Sequence, residues 1–151
     1  MTGERASESF TRMLHAIDAR DWTGVRHEFA PRIDLDYSSL FGDAPARVDA
    51  DPHVEGWRRF ASAFDATQHL TGPYVTSVNA DGSVLLGTHV RAYHRIQGLP
   101  DGDIWMVAGH YQVHLIDTVG GWKIDGITLR VLYVEGNQAI PALARERAAR
   151  T

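Results

Sequence analysis

Phe10, Met13, Leu14 and Ile17 recur at three- and four-residue spacing, so residues from about 6 to 19 predict an amphipathic helix. Asp21 is placed to N-cap a second helix with Trp22, Val25 and Phe29 on one face, stopped by Pro31. The period then changes from helical to two. Ile33, Leu35 and Tyr37 alternate with Asp34, Asp36 and Ser38 in RIDLDYSSL, residues 32–40, which predicts a half-buried strand. A polar loop, FGDAPARVDA, leads to Asp51-Pro52. That pair supplies an N-cap and a first-turn proline for a third helix with Val54, Trp57, Ala61 and Phe64 inward.

From there the pattern is of strands: YVTSVN, SVLLGTHVRAYHRI, IWMVAGHYQVHLIDT and GWKIDGITLRVLYVE. Asp81-Gly82 signals a hairpin between the first two. The last stretch, NQAIPALARERAAR from about residue 137, reads as a peripheral helical segment prone to fraying. Three helices followed by long antiparallel strands predict an α+β fold, a curved sheet wrapped around helices, as a single domain over 1–151.

Strand parity sorts the histidines. In residues 83–96, Val84, Leu86, Thr88, Val90 and Ala92 form the apolar face, and His94 goes inward with them. His89 faces out with Arg91 and Arg95. On the next strand Trp105, Val107, Gly109, Tyr111, Val113 and Leu115 form the more apolar face, so His110, Gln112 and His114 are expected outside. Asp18 is out of place. It lies four residues after Leu14, beside the buried stripe, near a helix C-terminus whose dipole disfavours negative charge. Either it has a cationic or hydrogen-bonding partner, or it ends the helix and faces water. Tyr37 ends the inward series of its strand, and His69 sits between a helix end and a strand start.

Composition narrows the function. The chain has 151 residues, 44% of them hydrophobic, and a net charge of −4, which argues against nucleic-acid and anionic-membrane roles. It has no cysteine, so thiol nucleophiles and zinc–thiolate sites are excluded. No apolar run is long enough to span a bilayer and no signal-peptide core opens the chain, so a cytoplasmic location is expected. Eight histidines remain as the source of chemistry. A zinc site from His89, His110 and His114 is geometrically conceivable on neighbouring strands, but no inward carboxylate supports it, and no metal is expected.

The segments AIDARDWTGVRHEFAP, IDLDYSSL, TQHLTG, HVRAYHR, GHYQVHLIDTVGGWKI and EGN, in this order over residues 8–137, resemble the SnoaL-like, NTF2-like superfamily. Within it they are most similar to the branch of scytalone dehydratase and bile-acid 7α-dehydratase. The resemblance implies a cone-shaped, cystatin-like fold with a mainly antiparallel mixed sheet. It places Asp18, Tyr37, His69 and His94 on the family's catalytic aspartate, tyrosine and two histidines. The tyrosine before the aspartate is Ile17 here, and the family's polar serine and asparagine fall near Val113 and Leu115. A shifted alignment would place them near His110 and Gln112 instead, so the substrate-anchoring half of the pocket has changed.

The resemblance implies acid–base catalysis without a cofactor, in a dehydratase of secondary metabolism acting on a cyclic or polyketide-like hydroxy-carbonyl compound. A cyclase or isomerase is the alternative, and a non-catalytic ligand-binding or dimerisation module the second. In the expected mechanism Asp18 orients His94, and protonated His94 gives its proton to the departing hydroxyl. His69 takes a proton alpha to a carbonyl, and Tyr37 donates to the carbonyl oxygen. Trp22, Phe41, Trp57, Phe60, Trp105 and Tyr111 supply aromatic walls for a hydrophobic small-molecule substrate, with Val113 and Leu115 at the altered positions. The outward sheet face, with His89, Tyr93, His110 and His114, is a candidate surface for a homo-oligomer, dimer or trimer.

Overall fold

Burial of Ala6, Phe10, Met13, Leu14 and Ile17 along one stripe makes helix α1 (Thr2–Asp18) the central strut of the molecule. The computed structural model describes residues 2–151. The chain continues through α2 (Trp22–Glu28), β1 (Phe29–Asp36), the single turn α3 (Ser38–Phe41), β2 (Ala46–Asp49) and α4 (Ala50–Ala61). It then runs through β3 (Ala66–Thr71), β4 (Val75–Val78), β5 (Val84–Arg95), β6 (Ile104–Thr118), β7 (Gly121–Gly136) and α5 (Ile140–Ala149). The strands form one seven-stranded sheet in the order β2-β1-β7-β6-β5-β3, with β4 also on β5. Only β1 and β7 pair in parallel, so the sheet is mixed but mainly antiparallel, and the fold is the expected α+β cone.

α1 ends in a Schellman motif. The Asp21 N–H donates to the Ala16 carbonyl and the Arg20 N–H to the Ile17 carbonyl, with Arg20 left-handed at φ 61°. The Arg20 guanidinium then donates to the carbonyls of Ala61 and Phe64, at 2.6 and 3.1 Å. This ties the end of α1, where Asp18 stands, to the end of α4. At the other end of α2, buried Glu28 accepts from Ser9 Oγ at 2.7 Å and Arg12 Nε at 2.8 Å.

The sheet curls where β6 is irregular against β7, between Ala108 and Gly109 and between His114 and Leu115. A Cβ at position 109 would lie 2.6 Å from the Arg130 carbonyl oxygen, so the close approach of the strands there requires glycine.

Several elements differ from the sequence reading. FGDAPARVDA is not all loop, because Ala46–Asp49 pairs with β1 as an edge strand. TQHLTG is mostly strand β3, whose polar residues hid its period of two. α4 starts two residues earlier than expected, at Ala50, and Asp51 pairs with Arg26 rather than capping the helix. The C-terminal stretch forms α5, with Ile140 and Ala144 fully buried. Among the described residues no helix is long and apolar enough to cross a membrane.

Candidate active site

A cavity of about 400 Å³ lies between the helices and the concave face of the sheet. Trp22, Phe41, Trp57, Phe60, Trp105 and Tyr111 all line it. Val113 and Leu115 do not. Both are fully buried in the core below the cavity, so those two expected substrate contacts are corrected. Both point inward, as strand parity predicts, but into the packed core rather than the cavity. His110, Gln112 and His114 lie on the outer side, where Gln112 is exposed and the two histidines are half-buried.

β3 delivers the central histidine. Its alternation turns Thr67, His69 and Thr71 inward, with Thr67 opposite His94 and His69 opposite Ala92 on β5. His69 Nδ1 lies 2.7 Å from Asp18 Oδ1, and the His69 backbone N–H donates to Asp18 Oδ2 at 2.8 Å. Thr67 Oγ1 donates to Asp18 Oδ1 at 2.9 Å. The sequence reading paired Asp18 with His94, and the structure corrects this. β3 lies over the end of α1, whereas His94 sits one strand further away.

Burial raises the Asp18 carboxyl, but the His69 ring, its backbone N–H and the Thr67 hydroxyl outweigh it and hold Asp18 below the usual range. An ionised Asp18 accepts, so His69 Nδ1 carries the hydrogen and Nε2 is the basic nitrogen. Among the described residues no protein group bonds to that Nε2, and the ring lines the cavity.

His94 is a different kind of histidine. Its Nδ1 lies 3.2 Å from the Trp105 carbonyl oxygen, which can only accept. Its ring is flanked by Trp105 at 4.5 Å, Phe64 at 5.1 Å and His69 at 6.1 Å between centroids. Burial, with the nearby His69 second, lowers its pKa to about 4, so His94 is neutral at pH 7. The expectation of a protonated His94 is therefore corrected as well. It presents a bare Nε2 acceptor to the cavity.

Tyr37 follows β1 and lines the cavity beside Trp57, at 6.3 Å between ring centroids. The Tyr37 and Tyr111 side chains both line the cavity, near enough to influence each other's ionisation. Burial first, and then contact with Tyr111, raise Tyr37 well above the ordinary tyrosine value, and burial pushes Tyr111 up to about 12. Both are neutral O–H groups at any physiological pH.

Sequence reasoning missed Thr67, Phe64 and the Trp105 carbonyl as supports of the two rings. It also missed His53 and Arg145 on the cavity lining. Thr67 shares the face of His69 by period two and was readable once β3 was recognised. Arg145 carried no local signal. On the convex face the rings of His89 and His110 are 5.3 Å apart, but His114 turns away to Asp125 and Ser83. Among the described residues no three metal-ligating side chains converge.

The fold and the cavity define the class: a curved mixed sheet closed by helices around an aromatic-walled cavity, in the NTF2-like manner. The chain belongs to the SnoaL-like domain family, whose pattern matches residues 6–128. Among solved structures it is similar to the Kfla4162 protein from Kribbella flavida, at 26% identity over 94% of this chain and 95% of that one, with a TM-score of 0.85. A Novosphingobium aromaticivorans protein with a provisional scytalone dehydratase name aligns at 15% identity, over 89% of this chain and 87% of that one, TM-score 0.76. The hexachlorocyclohexane dehydrochlorinase LinA type 2 aligns at 14%, over 89% and 87%, TM-score 0.67. No curated protein matches in sequence.

Proposed function

We propose that the protein is an acid–base enzyme working with its own side chains, a dehydratase for a cyclic or polyketide-like hydroxy-carbonyl compound. The observation that carries this reading is the Asp18–His69 pair, with the free ring nitrogen on an aromatic-walled cavity. Two structural neighbours bear elimination-type names, dehydratase and dehydrochlorinase, which supports the reaction class.

His69 Nε2 takes the proton from the carbon alpha to the substrate carbonyl, and Asp18 stabilises the imidazolium that forms. The electron pair left on carbon is spread onto the carbonyl oxygen, toward which the neutral Tyr37–Tyr111 hydroxyls donate. Collapse of this enolate forms the C=C bond and breaks the C–O bond to the leaving hydroxyl. The departing oxygen takes its proton back from the His69 imidazolium and leaves as water. Neutral His94 accepts a hydrogen bond from the substrate hydroxyl and orients it. One base thus serves both proton transfers, which replaces the two-histidine relay expected from the sequence.

The same enolisation would begin a cyclisation or isomerisation, so those reactions are the second reading. The test is a screen of cyclic β-hydroxy-ketones for the absorbance of the conjugated enone or, with hydroxylated tetralones, of the naphthol to which it tautomerises. Water loss that depends on His69 supports the dehydratase. Rearranged product without water loss supports the isomerase or cyclase. Binding without any turnover would leave a ligand-binding module.

A further inference from the structure

Arg145 on α5 is, among the described residues, the only arginine or lysine on the cavity lining. Its guanidinium carbon sits 4.4 Å over the centroid of the Phe41 ring. Its neighbours on the helix are committed elsewhere, Arg147 to the Ala63 carbonyl and Arg150 to Glu146. Among the described residues Arg145 has no carboxylate or carbonyl partner. The fully buried Ala144 beside it and Ile140 one turn back anchor this part of α5, so Arg145 stands on a fixed support at the rim.

From that rim a row of rings leads inward. Phe41 meets Phe60 at 6.0 Å, Phe60 meets Phe64 at 5.2 Å, and Phe64 meets His94 at 5.1 Å, all between centroids. The cation and the neutral imidazole therefore stand at the two ends of one aromatic wall. Building on the reading that His69 and His94 receive the reacting hydroxy-carbonyl group, we propose that Arg145 binds a carboxylate on the same molecule. The substrate class is then a flat acid of two or three fused rings, with its hydroxy-carbonyl end at His69 and its carboxylate at the rim.

The contact with Phe41 takes up none of the guanidinium N–H groups, which stay available for bidentate carboxylate binding. Asp43 lines the same rim. One cation beside one anion suits a singly charged carboxylate better than a dianionic phosphate. The chain as a whole carries −4, so any preference for an anion must come from this local site.

The test is calorimetric titration with 2-naphthoate and with its uncharged methyl ester. The wild-type protein is expected to bind the acid roughly tenfold more tightly than the ester, or better. Arg145→Met should bring the acid down to the level of the ester and leave ester affinity within about twofold, which also serves as the check on folding. Asp43→Asn should sharpen the preference for the acid. Equal binding of acid and ester by the wild type, a preference that survives Arg145→Met, or no binding of either probe would each overturn the proposal. None of these results bears on whether His69 removes a proton, which is measured separately by turnover.

Discussion

Among the described residues two histidine–aspartate pairs have nearly the same local geometry. Inside the cone, His69 Nδ1 lies 2.7 Å from Asp18, while on the convex side His114 Nδ1 lies 2.5 Å from Asp125. Their second nitrogens differ. His114 Nε2 meets Ser83 Oγ at 3.1 Å, and that hydroxyl donates to Asp81 at 2.6 Å and accepts from Asn79 at 2.9 Å. The order Ser83–His114–Asp125 resembles a nucleophile triad, but the serine proton is already given to a carboxylate in the β4–β5 turn. The histidine side chain there is 36% exposed, against 11% for His69. A carboxylate behind an imidazole therefore does not make a site. The inner pair differs in that its second nitrogen has no protein partner among the described residues and its ring lines an apolar cavity.

The comparison is broken most sharply by truncating each ring in turn. His69→Ala should lower kcat/KM by about 10²–10⁴-fold, the usual contribution of a positioned acid–base group. His114→Ala should leave turnover within about threefold, since the outer pair does not line the cavity. Comparable losses from both would mean that the outer pair supports the site.

Stability against pH sharpens the contrast next. His94 is pushed down to about 4 by burial, then by His69, so between pH 4 and the ordinary 6.5 the unfolded chain binds more protons than the folded one. Stability is then full above pH 6.5 and is lost as the pH falls toward 4, by up to about 3 kcal/mol from this ring. His53 is lowered to about 4 by burial and acts in the same direction. Urea titrations at pH 7.5 and 4.5 should show the wild type losing more stability than His94→Phe. Equal losses would contradict a buried neutral His94.

Asp18→Asn should reduce kcat/KM by roughly tenfold to a hundredfold, a loss of about 1.4–2.7 kcal/mol in transition-state stabilisation, while Asp125→Asn changes it little. The smallest effect is expected outside. Ser83→Ala removes turn-anchoring hydrogen bonds and should lower the urea midpoint by an amount equivalent to about 1 kcal/mol, with kcat unchanged.

How far the sequence reached depended on the kind of information each feature carries. α1 and β5 announce themselves by period, and parity alone put His94 inside. Asp18 betrayed itself as a carboxylate beside an apolar stripe, but its partner depends on which strand crosses the end of α1. That strand, β3, is a six-residue edge with only Leu70 and Ala66 as apolar residues, so its pattern was too weak to read. The protonation of His94 was also out of reach, because it depends on Phe64, Trp105 and His69 closing around it from separate segments. Arg145 lies beyond the segments that carry the family resemblance, on a helix whose apolar positions show little amphipathic pattern.

The central claim is that His69, backed by Asp18, removes a proton from carbon. Proton NMR of 1-tetralone in D₂O, a ketone with exchangeable α-protons and no leaving group, tests this before any natural substrate is known. The account predicts that the wild-type protein speeds loss of the α-proton signal above the buffer rate, and that His69→Ala returns it to that rate. Wild-type exchange no faster than buffer, or exchange unchanged in His69→Ala, would contradict it.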